Sequence, residues 1–298
     1  MTERMSRRAA LGAAVIGGAG LAACTQAAPK VHAPWDLTDK VVANRAKIKM
    51  QGNIAGGPVY SFMRINIYGD TNTGAYTPMF TMNNMLIDYW TPEGDSFVMK
   101  KYEAGVFTKF DSGEVIEQWD NPWTNEKIDI FRFTLGPVTR TYNPDGVEAM
   151  ALAPQAWPLE QIGDRLFYAT QSIGVAPNII TPEEFPRESA GPEIFLNSFM
   201  TFSSLAQDVF NPETTSAPCH MQLQNKFNWA PWMRMGQRPG GTVARGFGSK
   251  ISGLDALPKP VLDAFARITP EILKTETWTD VHLEAFDYLK FLRAKKGE

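Results

Sequence analysis

Met85-Leu86-Ile87-Asp88-Tyr89-Trp90, the break Thr91-Pro92-Glu93-Gly94-Asp95, and the long apolar run over residues 97–107 decide the class of this fold. Aromatic and β-branched residues come in a short run, Pro and Gly interrupt it, and a second run of the same texture follows. That is strand chemistry punctuated by turn chemistry. The pattern repeats outward along the chain. Asp111-Ser112-Gly113 separates residues 97–107 from a run at 115–119, Asn121-Pro122 ends the next, and 128–134 follows. Asn143-Pro144-Asp145-Gly146 marks another turn, and Gly163-Asp164 between 157–162 and 165–172 is a two-residue hairpin signal.

Short, evenly spaced strands favour antiparallel pairing, and no helical pattern of helix length alternates with them, which argues against a parallel α/β sheet. Over 128–134, Ile128, Ile130, Arg132 and Thr134 would share one face, and Asp129, Phe131, Phe133 and Leu135 the other. Both faces are then largely apolar, so the sheet is expected to be covered on both sides. The expected fold is mainly β, a barrel-like or strongly curved antiparallel sheet with a loop-rich and helical C-terminal cover. One domain is expected over residues 41–298, its β core at about 41–200 and its cover at 201–298. In that cover a short helix is expected at 201–209. A loop dense in Trp, Met, Gly and Pro follows over 228–248. Two helices then close the chain, the second over 281–294, capped by Asp280 or Thr279 with Leu283, Phe286 and Leu289 or Leu292 along one stripe.

The N-terminus carries an address. Ser6-Arg7-Arg8-Ala9-Ala10-Leu11 leads into an apolar small-residue run that ends in Leu21-Ala22-Ala23-Cys24. Paired Arg7 and Arg8 resemble a twin-arginine export signal, and Leu-Ala-Ala-Cys resembles a lipobox cleaved and acylated at Cys24. The uncharged stretch falls short of the ~20 residues of a spanning helix. Residues 1–23 are therefore expected to be removed, and 24–40, with Pro29 and Pro34, to form a tether. Thr25 after the Cys is not acidic, so the anchor is expected on the outer membrane, facing the periplasm. Loss of Glu3 with Arg4, Arg7 and Arg8 takes the formal charge from -3 to -5. A mildly acidic chain has no electrostatic footprint for nucleic acid, and contact with the membrane is expected only through the lipid.

If Cys24 is acylated, Cys219 has no partner for a disulfide, and His32, His220 and His282 are too scattered for a metal site, so no metal and no cofactor are expected. Gly240-Gly241 with Gly246 and Gly248 lacks the strand–helix context of a phosphate loop, and no Gly-x-Ser-x-Gly is present.

Three constellations could carry chemistry. Trp229, Trp232 and Met233 offer an adaptable apolar wall for a small aromatic molecule, with Arg234 or Arg238 for a carboxylate; equally, these aromatics could plug one end of a barrel. Glu103 and Arg132 sit among apolar neighbours and need partners. They could pair with each other, Glu103 could be a base of raised pKa with Arg132 or Arg140 gripping the substrate, or both could simply be exposed. His220 is a candidate general acid or base, whereas Cys219 beside it should face the opposite way on a strand. Asp120 and Asn121 read as braces of a turn.

Two long segments resemble a bacterial domain family known as DUF1838. The first runs from Tyr102-Glu103 through Asp111-Ser112-Gly113-Glu114-Val115-Ile116 and Trp119-Asp120-Asn121-Pro122-Trp123-Thr124-Asn125-Glu126 to Gly136-Pro137-Val138. The second is Trp229-Ala230-Pro231-Trp232-Met233-Arg234-Met235-Gly236-Gln237-Arg238-Pro239-Gly240, with Gly248-Ser249-Lys250 downstream. Where members often carry a His and then Asn-Asp before Pro-Val, this chain has Arg132, Leu135 and Gly136. The family has no established activity, so the resemblance implies kinship and leaves the chemistry open. The expectation from the residues is an exported protein that receives a small hydrophobic, aromatic molecule inside a β-barrel. Catalysis, if present, would be cofactor-independent acid–base chemistry of a lyase or isomerase. The rivals are a non-catalytic carrier and a scaffold that docks a protein.

Overall fold

Gly94-Asp95 and Gly163-Asp164 do in the fold what their chemistry suggests. The computed structural model describes residues 36–149 and 155–297; Arg7, Arg8 and Cys24 lie outside them. The chain runs α1 (Lys40–Gln51), β1 (Gly57–Asp70), β2 (Tyr76–Glu93), β3 (Ser96–Thr108), β4 (Gln118–Asn121), β5 (Glu126–Asp129) and β6 (Phe133–Asn143). It continues with β7 (Gly146–Ala149), β8 (Gln155–Ala156), β9 (Glu160–Ile162), β10 (Arg165–Pro177), β11 (Glu193–Leu205) and α2 (Ala206–Phe210). Then come β12 (His220–Phe227), β13 (Gly241–Ile251), α3 (Lys259–Ile268), β14 (His282–Leu283) and α4 (Glu284–Lys296). Glu93 pairs with Ser96 and Ile162 with Arg165, so each hairpin turns on two residues, with Gly94 at φ 66 and Gly163 at φ 62.

One antiparallel sheet dominates, in the order β14-β6-β3-β2-β1-β13-β12-β11-β10-β8, with β7 on β6 and β9 on β10. It curls into a half-barrel, as the strand texture suggests. Its centre joins distant parts of the chain, because β1 pairs with β13 over its length. Two glycines help the curl there. Gly248 and Gly246 lie opposite Met63 and Ile65, and a Cβ on either would collide with those side chains. Bare backbone on β13 thus lets β1 fill the concave side.

Several boundaries differ from expectation, each for a local reason. Residues 128–134 do not form one strand: β5 ends at Asp129 in a separate hairpin with β4, and β6 begins at Phe133. The helix expected at 201–209 is mostly strand, since β11 reaches Leu205 before α2 begins. The segment after residue 39 is helical, capped by the Asp39 carboxylate, which accepts from the amides of Val41 and Val42. Part of the expected cover belongs to the sheet, as β12 and β13. The two closing helices exist, but α4 buries Tyr288 and Leu292 and leaves Phe286 half exposed.

Helices and turns cover the convex side of β2 and β3. Phe265 of α3, Ile272 and Trp278 pack on Met85, Ile87 and Tyr102, with the Trp278 and Tyr102 rings 5.1 Å apart. The concave side is closed at both strand ends. At the Trp90 end, Ile48 of α1 packs with Trp90, Phe97 and Tyr142. At the Phe80 end, Trp232 is buried to 2% exposure against Phe80, Phe107 and Trp119, at ring distances of 5.8, 6.0 and 6.2 Å. Its indole Nε1 donates to Glu284 at 3.0 Å, tying α4 to this plug. Replacing Trp232 by Ala should cost about 4 kcal/mol in urea unfolding, because it removes a large buried ring and leaves a buried carboxyl without its donor.

Candidate functional site

A cavity of about 320 Å³ lies in the curl between the two ends. Most of its wall is apolar and rich in sulfur: Met63 and Ile65 of β1, Met82 of β2, Met200 of β11, and Met221 and Leu223 of β12. Methionine is flexible and polarizable, so such a wall can mould itself around an irregular or aromatic body.

The charged part of the wall comes from three adjacent strands. Period-two alternation turns Asn84 and Asp88 of β2, Lys101 and Glu103 of β3, and Arg140 of β6 onto the concave side. Asp88 is the direct cross-strand neighbour of Lys101, and Met99 beside them pairs with Arg140. Lys101 Nζ donates to Glu103 Oε1 at 2.9 Å, and Asn84 Nδ2 donates to Glu103 Oε2 at 3.3 Å. Burial would raise the Glu103 carboxyl, but Lys101, the hydrogen bonds from Lys101 and Asn84, and Arg140 together hold it below its ordinary value. Burial likewise opposes the charge on Lys101, yet attraction to Glu103 and Asp88 leaves its pKa raised. Glu103 is therefore a locked anion and a poor proton carrier.

Asp88 behaves differently. It is 8% exposed, its Oδ1 has no hydrogen-bond partner, and burial with the Glu103 charge pushes its carboxyl up to about 6 against the pull of Lys101, Arg140 and Lys250. Asn84 Oδ1 and Arg140 Nε are also buried without partners. Lys250 braces this end. Its Nζ donates to the carbonyls of Lys49 and Gly52 at 2.9 and 2.7 Å, and also to Ser216 and Ala217. These bonds hold the C-terminal end of α1 where Gln51 lines the cavity.

Of the residues singled out in the sequence, Glu103 and Arg140 meet on this wall. Arg132 is not beside Glu103: it pairs with Glu271, lying in the segment between β5 and β6 and not on the strand that lines the cavity. His220 is exposed while Cys219 is buried, as neighbours on an extended chain should be. Trp229, Trp232 and Met233 are packed in the core and do not line the cavity. Trp229 packs against Trp123, its ring tilted and 5.1 Å away, and donates to the Arg238 carbonyl at 3.1 Å. Arg234, in a left-handed conformation with φ 54, lies 3.9 Å from Glu126 and 3.8 Å from Glu188, and Arg238 reaches the Trp123 carbonyl. Sequence reasoning missed Asp88, Lys101 and Asn84. The signal was a lone Asp in the apolar run 85–90, with a Lys and a Glu at strand spacing on the next run. Among the described residues, no cluster of three or more His, Cys, Asp or Glu could hold a metal ion, and no helix is long and apolar enough to cross a membrane.

Fold and cavity together define a curled β half-barrel of a kind compatible with ligand binding. The family model described as "Protein of unknown function (DUF1838)" matches residues 59–290, more than three quarters of the chain, and the chain belongs to that family. No curated protein matches it significantly.

The electrostatics set the sign of a stability experiment. The Asp88 carboxyl is raised in the folded state from 3.8 to about 6, among Lys101, Glu103, Arg140 and Lys250. Its ionisation therefore costs folding energy in full above pH ~6, and the cost fades as pH falls toward ~4. Asp88→Asn should stabilise the protein by about 1–3 kcal/mol at pH ~7.5, with the gain vanishing near pH ~4. Thermal melts of both proteins across that range measure it.

Proposed function

We propose that this protein binds a small, largely apolar molecule of aromatic size within the curl of its sheet, with the polar end of that molecule against Asp88 and Arg140. One observation carries the reading. Charged and polar side chains from three strands converge on an apolar, methionine-rich cavity and leave Asp88 Oδ1 and Arg140 Nε unpartnered. Buried polar atoms without partners are costly in an ordinary core, so they mark a place where something else completes the bonding.

A second reading, cofactor-independent isomerase or lyase chemistry, is supported by the same carboxyl. A group that changes protonation at about 6 inside an apolar site can both take and return a proton at working pH. In this reading Asp88 is the proton carrier and Arg140 with Lys101 steadies developing negative charge, while Glu103 holds Lys101 in place. The carrier reading needs the cavity alone.

Native mass spectrometry of the purified full chain tests the site by revealing a retained small molecule. The expected result is a molecule kept by wild type and by His220→Gln, and lost from Arg140→Ala and from Met82→Trp, which fills the cavity. Retention by both cavity variants at wild-type level would place the ligand elsewhere. A molecule that wild type converts and Asp88→Asn binds unchanged would select the enzyme over the carrier.

The site of action completes the proposal. The chain works in the periplasm, exported folded through Arg7 and Arg8 and anchored by lipid on Cys24, on the strength of the N-terminal sequence. Conversion of both arginines to Lys should leave the protein in the cytoplasm, and Cys24→Ala should abolish incorporation of labelled palmitate.

A further inference from the structure

We propose that the polar end of the ligand is a neutral hydroxy-carbonyl group, its hydroxyl donating to Asp88 and its carbonyl oxygen accepting from Arg140. This rests on the cavity being a ligand site and specifies what that site selects.

Charges and unpaired hydrogen-bonding atoms on the cavity lining set the head group it accepts. Two cations, Lys101 and Arg140, face two carboxylates, Asp88 and Glu103, and Lys101 is bonded to Glu103 at 2.9 Å. Lys250, the third cation that acts on Asp88, is held by four oxygens and is not part of the lining, so the lining itself has no surplus positive charge when its four groups are ionised. What it lacks is bonding partners. Asp88 Oδ1 and Asn84 Oδ1 are acceptors with nothing to accept from, on residues only 8% and 3% exposed. Arg140 Nε is a donor with nothing to donate to, and Gln51 Nε2 on the same cavity is another. The unmet bonds are mixed: acceptors on β2, with Asn225 Oδ1 a further one across the cavity on β12, and donors on β6, one strand beyond β3, and at the end of α1.

Each simple ion fails part of this pattern. A carboxylate or phosphate head would satisfy Arg140 Nε and Gln51 Nε2 but set its lone pairs against Asp88 Oδ1 and Asn84 Oδ1. An ammonium head would satisfy the two acceptors but crowd Arg140 and Lys101. A hydroxyl beside a carbonyl supplies a donor hydrogen and an acceptor oxygen within one small group and adds no charge to a balanced cluster. The apolar remainder then lies along Ile65, Met82 and Leu223, farther along the cavity.

Four probes of similar size separate these heads: 2-hydroxyacetophenone, acetophenone, phenylacetate and benzylamine. Each is titrated at neutral pH into the full chain carrying methyl-labelled methionine, where Met63, Met82, Met99, Met200 and Met221 report from the cavity wall. The hydroxyketone should shift those methyl signals and bind about 10-fold more tightly than acetophenone, phenylacetate or benzylamine, since it alone pairs both an acceptor and a donor of the wall while each of the others serves one kind only. Asp88→Ala and Arg140→Ala should each erase that advantage over acetophenone. The ranking among probes on wild type tests the proposal even if either variant fails to fold. Phenylacetate, benzylamine or acetophenone binding as tightly as the hydroxyketone would overturn the head-group assignment and leave the cavity standing as a site. If none of the four moves a cavity methionine, both the assignment and the ligand site fall.

Discussion

Consecutive residue pairs between β1 and β13, from Tyr60 with Ile251 to Asp70 with Gly241, hold the two halves of this protein together. On one side lie β14, β6, β3 and β2, and on the other β12, β11, β10 and β8. Without this ladder each half would be a separate meander with an exposed apolar face and no cavity. The partners are 171 to 191 residues apart in the chain, so their pairing carries a large loop-closure cost and must be repaid by burial on the concave side. Gly246 and Gly248 admit Ile65 and Met63 there, and the walls of the cavity follow from that fit.

The polar wall is the second consequence of the curl. Asp88, Lys101, Glu103 and Arg140 lie on β2, β3 and β6, which stand side by side. On a flat sheet with one face in water these charges would be an ordinary solvated ladder. Curling places them under α1 and among methionines, where the Lys101–Glu103 pair holds and Asp88 is left without an adequate partner. Folds tolerate such unmet bonding where function requires it. Fold stability and site chemistry are in tension at Asp88, while Lys250, bonded to four oxygens, anchors the helix end that closes the cavity over it.

Legibility in the sequence followed range. Turns at Gly94-Asp95, Pro144-Asp145 and Gly163-Asp164 could be read because a hairpin turn is settled by the residues in it. Arg132 was misplaced because periodicity over 128–134 gave no sign that the chain leaves one hairpin and enters another sheet. The helix at 40–51 was missed because its apolar positions do not form one clean stripe and charged residues occupy most of its surface. Glu103 and Arg140 could be suspected as polar residues in apolar strands. Lys101, the partner of Glu103, and Asp88, which shares the wall with Arg140, could not be chosen among many charges on the same grounds.

The sequence by itself determined the β class, the hairpins, the two closing helices and the family, because these depend on neighbours in the chain and on long matched motifs. Only the tertiary structure decided that β13 lies beside β1, that Trp229 and Trp232 plug an end of the core, and that Asp88 and Arg140 share a cavity wall. Each of these depends on register between distant strands and on the direction in which the sheet curls. A shift of one residue in register would turn Asp88 and Arg140 to the other face.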